Sequence, residues 1–184
     1  MLLPTRITSA LLLDLSAQEF GITIEYRADL GAQRAPKRTL RSGKPHTPDQ
    51  LWDYLHQVLE LEGLTTVIGS REGSVYRVVP IQEAFDRAAV TERPVHPAPG
   101  YTVRRYETRG LPHEEIREGI SRFRPELGQS IASMPDGRAV LIGAVTHRHD
   151  EILRYIDASS SLARSVRTEF VPVRHLEHGA LIDQ

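Results

Sequence analysis

Apolar residues change their spacing several times along the chain, and each change marks an element. Ile7, Leu11 and Leu15, with Ala10, fall on one helical face, followed by Phe20 and a stop at Gly21. Ile22, Ile24 and Tyr26 then alternate with Thr23 and Glu25, the pattern of a half-buried strand. Gly31 to Lys37 reads as a polar turn region and Thr39-Leu40-Arg41 as a short strand. Thr47-Pro48-Asp49-Gln50 is the sharpest local signal. Thr47 suits a helix cap, Pro48 the first helical position, and Gln50 the reciprocal place of a capping box. Leu51, Tyr54, Leu55, Val58 and Leu61 trace the apolar face behind it, and Gly63 ends the helix. Thr65 to Ile68 and Val75 to Val79 are β-rich and flank Gly69-Ser70-Arg71-Glu72-Gly73, which predicts a hairpin.

From Glu83 to Gly100 the period disappears, and Pro94, Pro97 and Pro99 accumulate. This predicts a helical tail followed by a linker. A second unit follows in the order strand, helix, strand, strand, helix. Tyr101 to Tyr106 is extended. Pro112 with Glu114 and Glu115 opens a helix whose stripe is Ile116, Ile120 and Phe123. Ile131 and Ser133 lead into the turn Pro135-Asp136-Gly137, and Ala139 to Val145 is apolar enough for a central strand. Thr146 is the expected cap of a last helix burying Ile152, Leu153 and Ile156. Ala158 to Ser165 reads as a small, polar connector. Phe170-Val171-Pro172-Val173-Arg174 and Gly179-Ala180-Leu181-Ile182 read as the opening strand and helix of a further unit. A strand and half a helix cannot bury a core, so the expectation is a repeated module cut short and a longer parent chain.

The fold class expected is α+β: two small modules, each with two helices on a small mixed sheet, and the start of a third. The predicted boundaries are 1–82, a linker at 83–99, a second module at 100–158, and a connector with the stub at 159–184.

Composition narrows the function classes. The 184 residues carry a net charge of -1, which provides no basic footprint for nucleic acid or anionic lipid. Without cysteine there is no disulfide scaffold, thiolate metal site or cysteine nucleophile. Leu11-Leu12-Leu13 is cut by Asp14, far short of the ~20 apolar residues of a membrane span.

The order of these elements resembles the amino-terminal periplasmic domains of secretins, the outer-membrane channels of type II secretion and related pilus systems. In the first module the resemblance lies in Leu11 to Tyr26, centred on Glu19-Phe20-Gly21-Ile22-Thr23-Ile24. It continues from Leu40 through Thr47-Pro48-Asp49-Gln50-Leu51 and Gly63-Leu64 to Val75-Tyr76-Arg77-Val78-Val79-Pro80. That domain is similar to the signalling domain of TonB-dependent receptors. The second unit resembles the KH-like secretin repeat, through Asp136-Gly137-Arg138-Ala139-Val140-Leu141-Ile142-Gly143 and the helix ending near Tyr155-Ile156-Asp157. The family's opening short strand has only Met1-Leu2-Leu3-Pro4 to supply it, and Asp136-Gly137 stands in place of the usual asparagine turn. The family's barrel domain is absent.

The resemblance implies a non-catalytic, ring-forming periplasmic part of an outer-membrane protein. Its partners would be copies of itself, an inner-membrane secretion component and exported proteins, with no cofactor and no nucleic acid. A strand such as Val75, Tyr76, Arg77, Val78 and Val79 is the candidate edge for a partner strand. A TonB-receptor-like signalling or adaptor module and a KH-like RNA-binding module are the alternatives. The first leaves the second unit and the stub unused. The second lacks the backbone-clamping GXXG loop, despite Arg104-Arg105 and Arg122 with Arg124.

No catalytic constellation competes with this reading. Of the eight histidines, His147 and His149 lie two residues apart and share no helical face, while His175 and His178 fall in the stub. The expectation is solvated surface histidines. Glu114-Glu115 and Asp150-Glu151 sit in first helical turns, where the helix dipole accounts for them. Ser9, Ser16, Ser42 and Ser159-Ser160-Ser161 form no nucleophile elbow, and the glycines form no phosphate loop.

Overall fold

The computed structural model describes residues 6–27, 38–39, 46–69, 75–91, 94–123 and 130–165. The sequence expectations for residues 1–4, 31–37, 40–42, 70–73, 124 and 166–184 fall outside them, as does the side chain of Phe123.

The first module runs β1 (Arg6–Ile7), α1 (Ser9–Phe20), β2 (Thr23–Glu25), β3 (Arg38–Thr39), α2 (Pro48–Leu61), β4 (Leu64–Ile68) and β5 (Val75–Pro80). Ile7 belongs to a strand rather than to the first helix, since it pairs antiparallel with Arg38. Thr8 caps α1 through its hydroxyl, which accepts from the Leu11 N–H, and Gly21 closes the helix at φ 63°. Only a residue without Cβ takes that left-handed conformation at no cost. The buried face of α1 is Ser9, Leu12, Leu13 and Ser16, rotated from the expected Leu11–Leu15 face. Leu11 to Leu13 are consecutive leucines, so spacing alone leaves the phase open. Packing against α2 sets it.

The capping box at α2 is present in both directions. Gln50 N–H donates to Thr47 Oγ1 at 3.2 Å, and Thr47 N–H donates to Gln50 Oε1 at 3.1 Å. Replacing Thr47 with alanine is expected to cost about 1 kcal/mol of unfolding free energy, with serine restoring most of it. Urea denaturation of the two variants checks this. The buried face of α2 is Leu51, Trp52, Leu55, Val58 and Leu59, whereas Leu61 is 67% exposed.

The first sheet has the order β2-β5-β4, with β2 parallel and β4 antiparallel to β5. Its helix-facing core gathers Leu12, Leu13, Leu51, Trp52, Leu55, Leu59 and Tyr76.

Beyond a 3₁₀ turn at Ile81–Glu83 come α3 (Ala84–Arg87), β6 (Tyr101–Glu107), α4 (His113–Phe123), β7 (Ile131–Ser133) and β8 (Ala139–Val145). A second 3₁₀ turn, Thr146–Arg148, leads into α5 (His149–Ser165). The second sheet has the order β6-β8-β7, and both its pairings are antiparallel, so only the first sheet is mixed. The apolar run is the central strand, as expected. The Asp136-Gly137 turn has Gly137 at φ 64°. Tyr106, Ile116, Ile120, Val140, Ile142, Ile152 and Ile156 form the second core, while Leu153 is 42% exposed.

Two expectations fail at this end of the chain. Thr146 does not cap α5; it lies in the 3₁₀ turn, and its hydroxyl donates to the Pro99 carbonyl at 2.5 Å. The residues expected to form a connector continue α5 to Ser165. Ser160 and Ser161 fold their hydroxyls back onto the Asp157 carbonyl at 3.0 and 2.8 Å, which satisfies these side chains within the helix.

Candidate functional site

The strand expected to receive a partner lies in the middle of its sheet. Val75, Tyr76 and Arg77 pair with β2, and Tyr76, Arg77, Val78 and Val79 pair with β4. Tyr76 and Arg77 are paired on both sides, so the middle of β5 has no free edge for another strand. Tyr76, Val78 and Val79 are also buried. The expectation of docking at these residues is corrected accordingly.

What the fold builds instead is a seam between the two sheets. Phe85 and Ala88 pack with Ala84 against Val67 and Val79 of the first sheet and against Tyr101, Val103, Leu141 and Val145 of the second. Helix α3 therefore works as a wedge with a core of its own. After it, Ala89 N–H donates to Ile68 O of β4 at 2.9 Å, and Thr91 N–H donates to Val103 O of β6 at 2.8 Å. The facing edges of both sheets are engaged by the segment that joins them.

Residues 97–100 form a strap across the seam. Trp52 Nε1–H donates to Ala98 O at 2.6 Å, and Tyr76 O–H donates to Pro97 O at 2.6 Å. Gly100 N–H donates to Thr66 Oγ1 at 2.8 Å, and Thr146 N–H donates to Gly100 O at 2.8 Å. Pro97 and Pro99 have no N–H, so the strap presents mostly acceptors, and donors from both modules converge on them. A groove of about 600 Å³ opens beside the strap, between the α2 side chains Asp53, His56 and Glu60 and the Val145–His147 turn.

Two histidines depart from the expected solvated state. His149 is 1% exposed. Its Nε2 lies 3.0 Å from Thr102 O, which can only accept, so Nε2 carries the proton. Nδ1 then accepts from the Tyr106 hydroxyl at 2.7 Å. Burial, aided by Arg104, pushes the His149 imidazole down to about 4, and burial pushes Tyr106 up to about 12. The pair is a neutral hydrogen-bonded clamp between β6 and α5. His56 Nε2 sits 2.9 Å from Thr66 Oγ1, and burial with the neighbouring His147 holds it down to about 4. A histidine of this kind leaves no periodic signature, which is why sequence reading missed both.

The remaining candidates stay apart. Glu114 pairs with Arg117 within α4, and Arg122 pairs with Glu118. Arg105 is exposed on β6. Ser9 and Ser16 are buried in α1, where Ser9 O–H donates to Glu62 Oε1 at 2.6 Å. Among the described residues, no three His, Asp or Glu side chains are placed to hold a metal ion, and no helix is long and apolar enough to cross a membrane.

No protein-family model matches the sequence, and no curated protein matches it. Solved structures do. A chain of the Klebsiella pneumoniae type II secretion outer-membrane complex, which contains PulD, PulS and the PulC HR domain, aligns over 80% of this chain with a TM-score of 0.57 at 14% identity. The alignment spans 24% of that longer chain. The N-terminal domain of the Pseudomonas aeruginosa secretin XcpQ, in its S210C dimer form, aligns over 85% of this chain and 63% of its own at 17% identity, with a TM-score of 0.31. The enterotoxigenic Escherichia coli GspC–GspD complex aligns over 80% of this chain and 89% of its own at 12% identity, with a TM-score of 0.29. The fold assignment rests on the first. The architecture is α+β, with small three-stranded sheets. The fold is shared with the aligned part of that type II secretion outer-membrane complex chain, in keeping with the resemblance of the sequence to secretin amino-terminal domains.

Proposed function

We propose that this chain is the periplasmic, ring-forming part of an outer-membrane secretin, with a structural rather than a catalytic role. The observation that carries the reading is the fold match over four-fifths of the chain to a component of a type II secretion outer-membrane complex. The module order and the strapped seam add to it. A ring lining a passage needs subunits that hold their shape under load, and cyclic closure then satisfies every lateral interface. In this reading the first module docks an inner-membrane secretion component, and exported proteins pass through the vestibule that the rings enclose. The described surfaces for a lateral neighbour are β2, β7 and the helix faces, since β5 is the central strand of its sheet and the facing edges of β4 and β6 are engaged.

The test is affinity purification of the tagged native protein from envelopes, with electron microscopy of the eluate. Rings that contain the chain, together with an inner-membrane secretion protein, are the expected result. A monodisperse monomer at native abundance, with no envelope partner, would overturn the proposal.

A further inference from the structure

We propose that His56 is a proton-operated latch on the seam, so that acidification releases the strap and uncouples the second module from the first. The geometry comes first. Thr66 is fully buried, and its hydroxyl oxygen accepts the Gly100 N–H at 2.8 Å. The same oxygen lies 2.9 Å from His56 Nε2. In the tautomer that leaves Nε2 unprotonated, the hydroxyl donates to it while accepting from the strap. Gly100 N–H, Thr66 O–H and His56 then form a single directed chain, in which each bond polarises the next.

Protonated His56 carries hydrogen on both ring nitrogens. Nε2–H must then donate to the oxygen that receives Gly100, and the displaced threonine proton loses its acceptor in a buried site. The strap has little slack to absorb this. A Cβ built on Gly100 would stand 2.9 Å from the His56 ring, so backbone and imidazole are already in close contact. Trp52, which holds the next strap carbonyl but one, packs edge-on against the same ring with centroids 4.7 Å apart. One imidazole thus touches two of the strap's anchors.

The charged groups facing His56 are few. Asp53 and Glu60 flank it on α2, and His147 faces it from the turn before α5. Glu60 Oε1 lies 3.8 Å from His147 Nδ1. The strap and β4 contribute only uncharged residues. Burial and His147 hold His56 down to about 4 in the closed seam. Once the seam opens, the ring returns to its ordinary value near 6.5. Open forms therefore bind the proton better, and closure is fully favoured above that value and weakens as pH falls towards 4. The opening equilibrium rises about 100-fold from pH 7 to pH 4. This inference holds whether or not the chain assembles into rings.

Hydrogen exchange followed by NMR on the whole chain tests it, from pH 7 to pH 4. Protection factors, which divide out the intrinsic pH dependence of exchange, are compared for the Gly100 amide and the Trp52 indole against the Leu12 and Leu55 amides of the first core. Gly100 and Trp52 are expected to lose about 100-fold in protection by pH 4 and to stay less protected than the core amides throughout, because the seam opens without unfolding the core. His56→Gln removes that loss, and His147→Gln makes it smaller, since without the repelling charge the closed-seam imidazole stands nearer its open value. Strap amides as well protected as the core at every pH, or His56→Gln keeping the wild-type profile, would refute the latch. Should His56→Gln leave Gly100 unprotected already at pH 7, the smaller loss in His147→Gln decides, and an unchanged loss there refutes it.

Discussion

Gly143→Val is expected to lower the unfolding free energy by about 3 kcal/mol, the upper end of the usual cost of overpacking a close-packed core. Gly143 lies on the central strand β8, opposite Val103 of β6, and faces the wedge rather than the helices. A Cβ there would stand 2.5 Å from Phe85 Cδ2 and would overlap the Tyr101 hydroxyl. Tyr101 is 2% exposed and has no solvent to swing into, while Phe85, partly buried, can move aside only by giving up its packing on the cluster. The wedge must lift, which exposes the third core and loosens the anchors beside it. Urea unfolding checks the loss. Gly143→Ala should fall between wild type and valine, and Phe85→Leu should recover part of it non-additively, because the two residues share one contact. A valine variant within 0.5 kcal/mol of wild type would show that the wedge is not packed as described.

The second large effect is acid sensitivity through His149. Its imidazole is held at about 4 in the folded protein and returns to about 6.5 on unfolding. Between those values the unfolded chain holds a proton that the folded chain lacks. Stability is therefore complete above pH 6.5 and falls as pH drops through the window towards 4. The loss at the bottom of the window is about 3 kcal/mol from this residue. Tyr106 stays neutral throughout, so the clamp fails from the histidine side. Unfolding free energies at pH 7, 6, 5 and 4.5 should decline steeply for wild type. For His149→Gln they should start lower and decline less. An unchanged slope in the variant would locate the acid sensitivity elsewhere.

Much of the architecture is legible from local pattern. The capping box, the Gly21 and Gly63 stops, the β4–β5 hairpin and the β6-α4-β7-β8-α5 order are short-range features, because caps, turns and periodicity act over a few residues. The errors fall where local pattern is degenerate. In α1 consecutive leucines hide the phase. In α2 Trp52 and Leu59 are buried while Leu61 is not, since the face is set by what packs on it. Ser159-Ser160-Ser161 reads as a linker by composition, yet it is helix because Ser160 is buried and each of the last two hydroxyls finds a local carbonyl.

The candidate site divides in the same way. By itself the sequence determined two α/β units, their element order, and the absence of any spacing suited to cysteine, nucleotide or nucleophile chemistry. Only the tertiary structure decided which strand is central, that a proline-rich stretch is a bonded strap, and that His149 is buried and His56 half-buried, with both imidazoles held well below their ordinary value. Strand order and burial depend on contacts between residues far apart in the chain: Trp52 with Ala98, Tyr76 with Pro97, and Thr102 with His149. No local period records such pairs, because a hydrogen bond across dozens of residues depends on where two separate elements come to rest.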